Sequence, residues 1–97
     1  MMELSADDLK SLKTYIRIDF DDDDKLLQEF AAAAAADMER MGIQHQPDDP
    51  AWKMVLFAIV LDWYENRGNV GTIPAIAEGM IFRLKTSNPD NYGGGME

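Results

Sequence analysis

Three aspartates near the start of the chain have a spacing that could hold a metal ion. Asp19, Asp21 and Asp23 stand at the first, third and fifth positions of a calcium-binding loop. Such a loop also requires a glycine at its sixth position and a bidentate glutamate at its twelfth, where this chain has Asp24 and Phe30. Because the turn residue and the strongest ligand are both missing, the pattern favours a capped, solvated helix start, and we predict no metal site.

Residue types that commonly perform catalysis are few and isolated in this chain. His45 is the only histidine and lies in a polar loop, and the sequence contains no cysteine that could join it as a metal ligand or act as a nucleophile. The serines show no nucleophile-elbow pattern, and the glycines at 93–95 lack the strand, lysine and helix of a phosphate-binding loop. We therefore predict no catalytic residues, no cofactor and no enzymatic activity.

An excess of acidic residues determines the charge of the protein. Nine basic and 18 acidic residues give a formal net charge of −9. This charge repels phosphate groups, so tight binding of DNA or RNA is not expected. Two interpretations stay open: the charge keeps the protein soluble, or it lets the surface lie beside DNA without adhering to it.

The longest apolar stretch does not predict a membrane span. Residues 51–64 are interrupted by Lys53 and Asp62 and fall short of the roughly 20 apolar residues that cross a bilayer. The N-terminus lacks the basic and apolar regions of a secretory signal, and a chain without cysteine suits a reducing cytoplasm. We expect one domain of 97 residues with a soluble core and no membrane partner.

Hydrophobic periodicity predicts an all-α fold, a compact bundle of four short helices with a flexible C-terminal tail. Ser5 is the candidate N-cap of the first helix, with Asp8 reaching back in a capping box, and Leu9, Leu12 and Ile16 form its apolar stripe. One of the aspartates of the acidic run at 21–24 is expected to cap the second helix.

The second helix is expected to approach another helix closely. Its six consecutive alanines at 31–36 are strong helix formers with small side chains, and Gly42 is a natural stop. Asp49 is the candidate N-cap of the third helix and Pro50 suits its first turn. The third helix is apolar nearly all round, so we expect it to be the core element, with Trp52 and Trp63 packed inside.

The third helix is expected to end near Gly68 as a left-handed residue, and a fourth helix to follow Pro74. In that helix the residues predicted to share the buried side are Ile76, Ala77, Met80 and Leu84. We predict a helical domain at 1–85 and a flexible tail at 86–97, because the tail holds Pro89, three consecutive glycines and few apolar groups.

Asp62 is the polar exception within the third helix and is a candidate for a structural ion pair. A buried carboxylate needs a partner. We hypothesise that Arg83 of the fourth helix, or an arginine of a neighbouring copy, supplies it. The alternative, that Asp62 faces solvent, stays open.

Five blocks of sequence follow one another in an order and at spacings typical of one family. The blocks are Leu12 to Asp19, Asp21 to Leu27, Asp49 to Lys53, Leu61 to Gly68, and Ile73-Pro74 followed by Ile81 to Leu84. They resemble the head–tail connector family of tailed bacteriophages, also described as small DNA-packaging or head-completion proteins. The resemblance spans most of the predicted domain and stops before the tail. The run of alanines departs from the more varied side chains of such proteins.

The resemblance implies a structural subunit of the virion. Such a subunit would form a ring of about a dozen copies, dock under the portal protein and extend the DNA channel toward the tail or a tail-completion protein. DNA would pass without tight binding, and the protein would be made in the host bacterial cytoplasm and reside at the head–tail junction. The alternative is that the chain is a small acidic regulatory protein, such as a DNA mimic that occupies a basic groove of its partner, or an inhibitor of a basic partner.

Overall fold

Four α-helices build the part of the chain that the computed structural model describes, residues 4–44, 46 and 48–87. They are α1 (Ala6–Ile16), α2 (Asp24–Arg40), α3 (Pro50–Glu65) and α4 (Ala75–Ser87), with a short 3-10 helix, Arg67–Asn69, between α3 and α4. These residues form no strand, which confirms the predicted all-α fold. Because α4 continues to Ser87, it passes the predicted domain boundary by two residues. The rest of the predicted flexible tail lies outside the described residues.

The third helix is the centre of the fold, as its apolar sequence predicts. α3 packs against α1, α2 and α4, whereas the described backbone of α4 approaches neither α1 nor α2. α3 therefore separates α4 from the other two helices. Its buried side chains point in all directions around the axis: Trp52, Val55, Leu56, Phe57, Ala58, Ile59, Val60 and Trp63.

The alanine run lets α2 lie close to α3, and this is the most extensive helix pair of the fold. Ala31 and Ala34 are completely buried, whereas Ala33 and Ala36 face solvent. Because the alanine side chain is only a methyl group, the distance between two helix axes can be near the lower limit of the usual range. The buried alanines thus serve the packing of helices within the subunit, and they lie on one side of α2 only.

Local hydrogen bonds fix where α1 and α3 begin. The Ser5 hydroxyl accepts a 3.1 Å hydrogen bond from the backbone N–H of Asp8, and the Asp49 carboxylate accepts one of 2.9 Å from the N–H of Ala51. Each bond satisfies an amide that the helix itself leaves unpaired. The Asp8 carboxylate forms an ion pair with Lys53 Nζ, at 3.2 Å, which connects the first turn of α1 to α3.

A side-chain amide attaches the start of the described chain to α2. Gln28 Oε1 accepts a 2.7 Å hydrogen bond from the N–H of Leu4, and Gln28 Nε2 donates one of 3.0 Å to the Leu4 carbonyl. Both backbone polar groups of Leu4 are therefore satisfied while its side chain is buried in the core.

The end of α3 differs from the prediction at Gly68. That glycine belongs to the 3-10 helix, and the left-handed glycine of this connection is Gly71, with φ 93°. The prediction of a left-handed Gly68 was wrong because the chain makes an extra tight turn before it reverses. The indole N–H of Trp63 donates a 2.7 Å hydrogen bond to the carbonyl of Thr72, which holds the reversal against α3.

The buried face of α4 also differs from the prediction at one position. Ala77, Ile81 and Leu84 are buried and Met80 is partly buried, but Ile76 is 71% exposed. α4 has apolar residues around most of its circumference, so the sequence alone did not define one stripe. Only α3 is available to cover α4 among the described elements, and it covers the stripe that contains Ile81.

Candidate functional site

The acidic run before α2 is engaged in contacts with the rest of the fold. Lys13 Nζ lies 2.6 Å from Asp21 Oδ1 and 2.8 Å from Asp24 Oδ1, so one ammonium group joins α1 to the start of α2. The hydrogen bond to Asp21, followed by that to Asp24, raises the pKa of Lys13 above its usual value. Asp23 precedes α2 and its carboxylate accepts a 2.6 Å hydrogen bond from the Tyr64 hydroxyl instead of capping the helix.

Two of the three aspartates that have the spacing of a calcium loop are engaged in contacts within the fold. Asp21 and Asp23 are directed toward Lys13 and Tyr64, and Asp19 is exposed before them. Within residues 4–44, 46 and 48–87, no group of three or more His, Cys, Asp or Glu could hold a metal ion. His45 lies outside the described residues.

Asp62 has a partner in the connection that follows α3. It is half-buried, and its carboxylate accepts a 3.2 Å hydrogen bond from the side-chain amide of Asn69. Arg83 lies on α4 with an exposed side chain. The ion pair between Asp62 and Arg83 stays a prediction.

The tryptophans are core residues, as predicted. Trp63 is completely buried and its ring meets the Phe30 ring edge to face, with centroids 5.9 Å apart. Trp52 is 1% exposed. Tyr64 is half-buried at the rim of the core, where the Arg67 guanidinium lies over its ring at 5.2 Å.

An open groove runs along α1 and the connection to α2. We call it the α1 groove; it has a volume of about 450 Å³. Its lining residues are Ala6, Leu9, Lys10, Lys13, Thr14, Ile18, Asp19, Asp21 and Asp24. Leu9 and Ile18 give it an apolar part, and the exposed Lys10 and Asp19 give its rim both signs of charge.

A second surface is formed by exposed residues of α4. We call it the α4 outer face; it consists of Ile76, Glu78, Gly79, Phe82 and Arg83, all exposed. Ile76 and Phe82 are 71% and 67% exposed, more than any other large apolar side chain that the structure describes. This surface was not predicted from the sequence, because the apolar spacing of α4 placed Ile76 in the core. The excess of apolar residues over what one buried face needs was the signal that could have revealed it.

The acidic residues are distributed over the outside of the molecule. Among residues 4–44, 46 and 48–84, no charged or polar side chain is buried. Nine aspartates and glutamates of that part are exposed: Asp7, Asp19, Asp21, Asp22, Glu29, Glu39, Asp48, Glu65 and Glu78. The acidic excess of the described residues therefore acts at the surface, where neighbouring molecules meet it.

A family model matches almost the whole chain. The family is described as phage gp6-like head-tail connector protein, and the match covers residues 6–95. The chain belongs to this connector family. The resemblance predicted from the five sequence blocks is thus confirmed, and the match continues beyond α4 into the segment that the blocks left out.

Membership gives this connector a structural role in bacteriophage particles, as a component of the virion. No curated protein and no solved structure significantly matches the connector. None of its described helices combines the length and apolar character that crossing a bilayer demands.

Proposed function

We propose that this connector is the subunit of a ring of about a dozen copies that docks under the portal and extends the DNA channel toward the tail. The observation that carries the proposal is the family match over residues 6–95, which includes all four helices. The partners are further copies of the chain, the portal protein, and the tail or a tail-completion protein. The ring is added at the head–tail junction after the chain is made in the host cytoplasm.

The surface charge suits a channel through which DNA must pass. A charge of −9 on about a dozen copies places roughly −100 on the ring, and like charge prevents the DNA backbone from adhering to the wall. No charged side chain of residues 4–44, 46 and 48–84 is buried, so acidic groups are available to line the channel.

The exposed apolar side chains of α4 favour assembly with other molecules over a monomer in solution. Ile76 and Phe82 lie less than two turns apart on the same helix, and both keep about two thirds of their surface in water. Apolar patches on soluble proteins commonly mark contacts with other proteins. A virion subunit covers such a patch when it assembles.

The test compares particles assembled with and without the connector. We expect cryo-imaging to show a ring of density between portal and tail in the complete particles, and packed heads without attached tails when the gene is disrupted. Masses of the purified chain in solution and with a portal ring provide the second measurement. A chain that is absent from the particles, and that stays a monomer able to displace DNA from a basic protein, would refute the ring and favour the regulatory alternative.

A further inference from the structure

The first helix contributes few side chains to the core. Two residues of α1, Leu12 and Ile16, are buried, compared with six residues of α2 and eight of α3. A separate helix of 11 residues is marginal in water, so α1 stays helical only while it packs on α2 and α3. An element with little buried apolar surface opens at a lower free-energy cost than the core does.

Ion pairs join both ends of α1 to other parts of the fold. In the last turn, Lys13 Nζ lies 2.6 Å from Asp21 Oδ1 and 2.8 Å from Asp24 Oδ1. In the first turn, the Asp8 carboxylate lies 3.2 Å from Lys53 Nζ of α3. Lys13 and its two aspartates form the larger of these two groups, and we call these three residues the Lys13 cluster.

Within the Lys13 cluster, the ammonium group and one carboxylate are shielded from water. The side chain of Lys13 is 13% exposed, and Asp24, at 35%, has its Oδ1 atom buried. Asp21 is 86% exposed, so solvent screens its share of the interaction. Removal of the ammonium would leave Asp24 Oδ1 without the cation that offsets its desolvation. The attachment of α1 therefore depends most on the pair of Lys13 with Asp24.

The backbone at the end of α1 acts against the closed position of this helix. Arg17, which follows α1, has φ 67° and is the one residue other than glycine with a positive φ among those that the structure describes. This left-handed region brings the Cβ atom of an L residue too close to its own backbone, which costs free energy except at glycine. Release of α1 lets Arg17 leave the region. The Lys13 cluster and the Arg17 backbone thus act in opposite directions on the same helix.

We infer that α1 is a releasable strap, which opens from α2 and α3 while the other three helices stay folded. The Lys13 cluster holds the strap closed, and the left-handed backbone of Arg17 favours its release. The open strap unfolds because the free helix is too short to persist. Its release uncovers Leu12 and Ile16 together with the parts of α2 and α3 on which they pack. The inference concerns the single subunit and does not depend on the proposed ring.

Hydrogen exchange of the purified full chain, followed by mass spectrometry of its fragments, measures this opening. Exchange of the α1 amides reports release of the strap, whereas exchange of the slowest α3 amides reports unfolding of the whole chain. We expect the α1 amides of the natural chain to exchange faster than those of α3, because release of the strap leaves α3 folded.

Three substitutions separate release of the strap from unfolding of the whole chain. Lys13→Met keeps an apolar side chain but loses the charge, and the α1 amides should exchange about tenfold faster than in the natural chain. Arg17→Gly should slow them by roughly threefold, because glycine adopts the left-handed region without strain. Ile81→Val weakens the packing of α4 on α3, away from α1, so the α3 amides should exchange about fivefold faster while those of α1 stay unchanged.

Lys10→Met is the matched control for Lys13→Met. Lys10 is an exposed lysine on the same helix and lies outside the Lys13 cluster, so its replacement should change exchange of the α1 amides by less than about twofold. Three results would overturn the inference. They are equal exchange of α1 and α3 in the natural chain, faster exchange of both helices after Ile81→Val, and α1 exchange that either Lys13→Met or Arg17→Gly leaves unchanged.

Discussion

The hydroxyl of Tyr64, in the last turn of α3, donates a 2.6 Å hydrogen bond to the carboxylate of Asp23, the residue that precedes α2. These residues are 41 positions apart in the sequence. The bond therefore attaches the end of α3 to the beginning of α2, the helix with which α3 packs most extensively. A hydrogen bond to a charged acceptor is shorter and stronger than one between neutral groups.

Replacing Tyr64 with phenylalanine removes only the hydroxyl of this pair. We expect Tyr64→Phe to lower the free energy of unfolding by about 1 kcal/mol at neutral pH, as for other hydrogen bonds at a partly exposed site. Urea denaturation followed by tryptophan fluorescence measures the change. Tyr15→Phe is the matched control, because Tyr15 contacts the core through its ring, 5.8 Å from that of Phe57. Equal stability losses in the two variants would argue against the Tyr64–Asp23 bond.

The same bond predicts a dependence on alkaline pH. The hydrogen bond to Asp23, then burial and the Asp23 charge, raise the pKa of Tyr64 in the folded protein above its usual value, against a smaller opposite effect of Arg67. The contribution to stability is therefore complete below the pKa of an unfolded tyrosine, about 10, and is lost as pH rises through the higher folded-state pKa. The stability difference between the natural chain and Tyr64→Phe should shrink over that range. Paired urea titrations check this, and a difference that stays constant above pH 10 would contradict it.

The close approach of α2 and α3 predicts that buried and exposed alanines tolerate enlargement very differently. Ala34 is completely buried and Ala33, next to it, is exposed. We expect Ala34→Leu to cost about 1–3 kcal/mol because the larger side chain forces the helices apart. Ala33→Leu should change stability by less than about 0.5 kcal/mol, since it extends into solvent and has similar helix propensity. Thermal unfolding of both variants measures the contrast. Similar melting temperatures would show that the alanines do not form the contact.

The sequence predicts a structural feature well where composition and capping determine it, and less well where packing against another helix determines it. The apolar circumference of α3 and the Asp49-Pro50 start were read correctly because they depend on composition and capping alone. The exposure of Ile76 depends on which side of α4 meets α3, and that side is chosen by packing. The contact of Tyr64 with Asp23 joins distant segments and has no local signature.

Asp62 permits a test of the predicted ion pair that leaves its observed hydrogen bond in place. An asparagine at this position can still accept from Asn69, so Asp62→Asn removes the charge alone. If Arg83 pairs with Asp62, Arg83→Met should lower stability by about 0.2–1 kcal/mol in the natural chain and by little in the Asp62→Asn background. A double-mutant cycle from urea titrations measures the coupling, with Lys25→Met, which removes an exposed cation on α2, as the control. Additive effects of the two substitutions would reject the pair.

The exposure of Ile76 predicts a variant that assembles poorly while folding normally. At 71% exposure, Ile76→Ser removes little core packing, so the free energy of unfolding should change by less than about 0.5 kcal/mol. If this side chain becomes buried between subunits, its loss weakens each contact by about 2 kcal/mol, which is more than tenfold in affinity. The fraction of particles that carry the connector, measured with urea stability on the same preparations, should therefore fall without loss of folding. Val70→Ser, which removes a 42% exposed apolar group outside the α4 outer face, is the control and should assemble normally. Normal incorporation of Ile76→Ser would show that α4 contributes nothing to assembly through this residue.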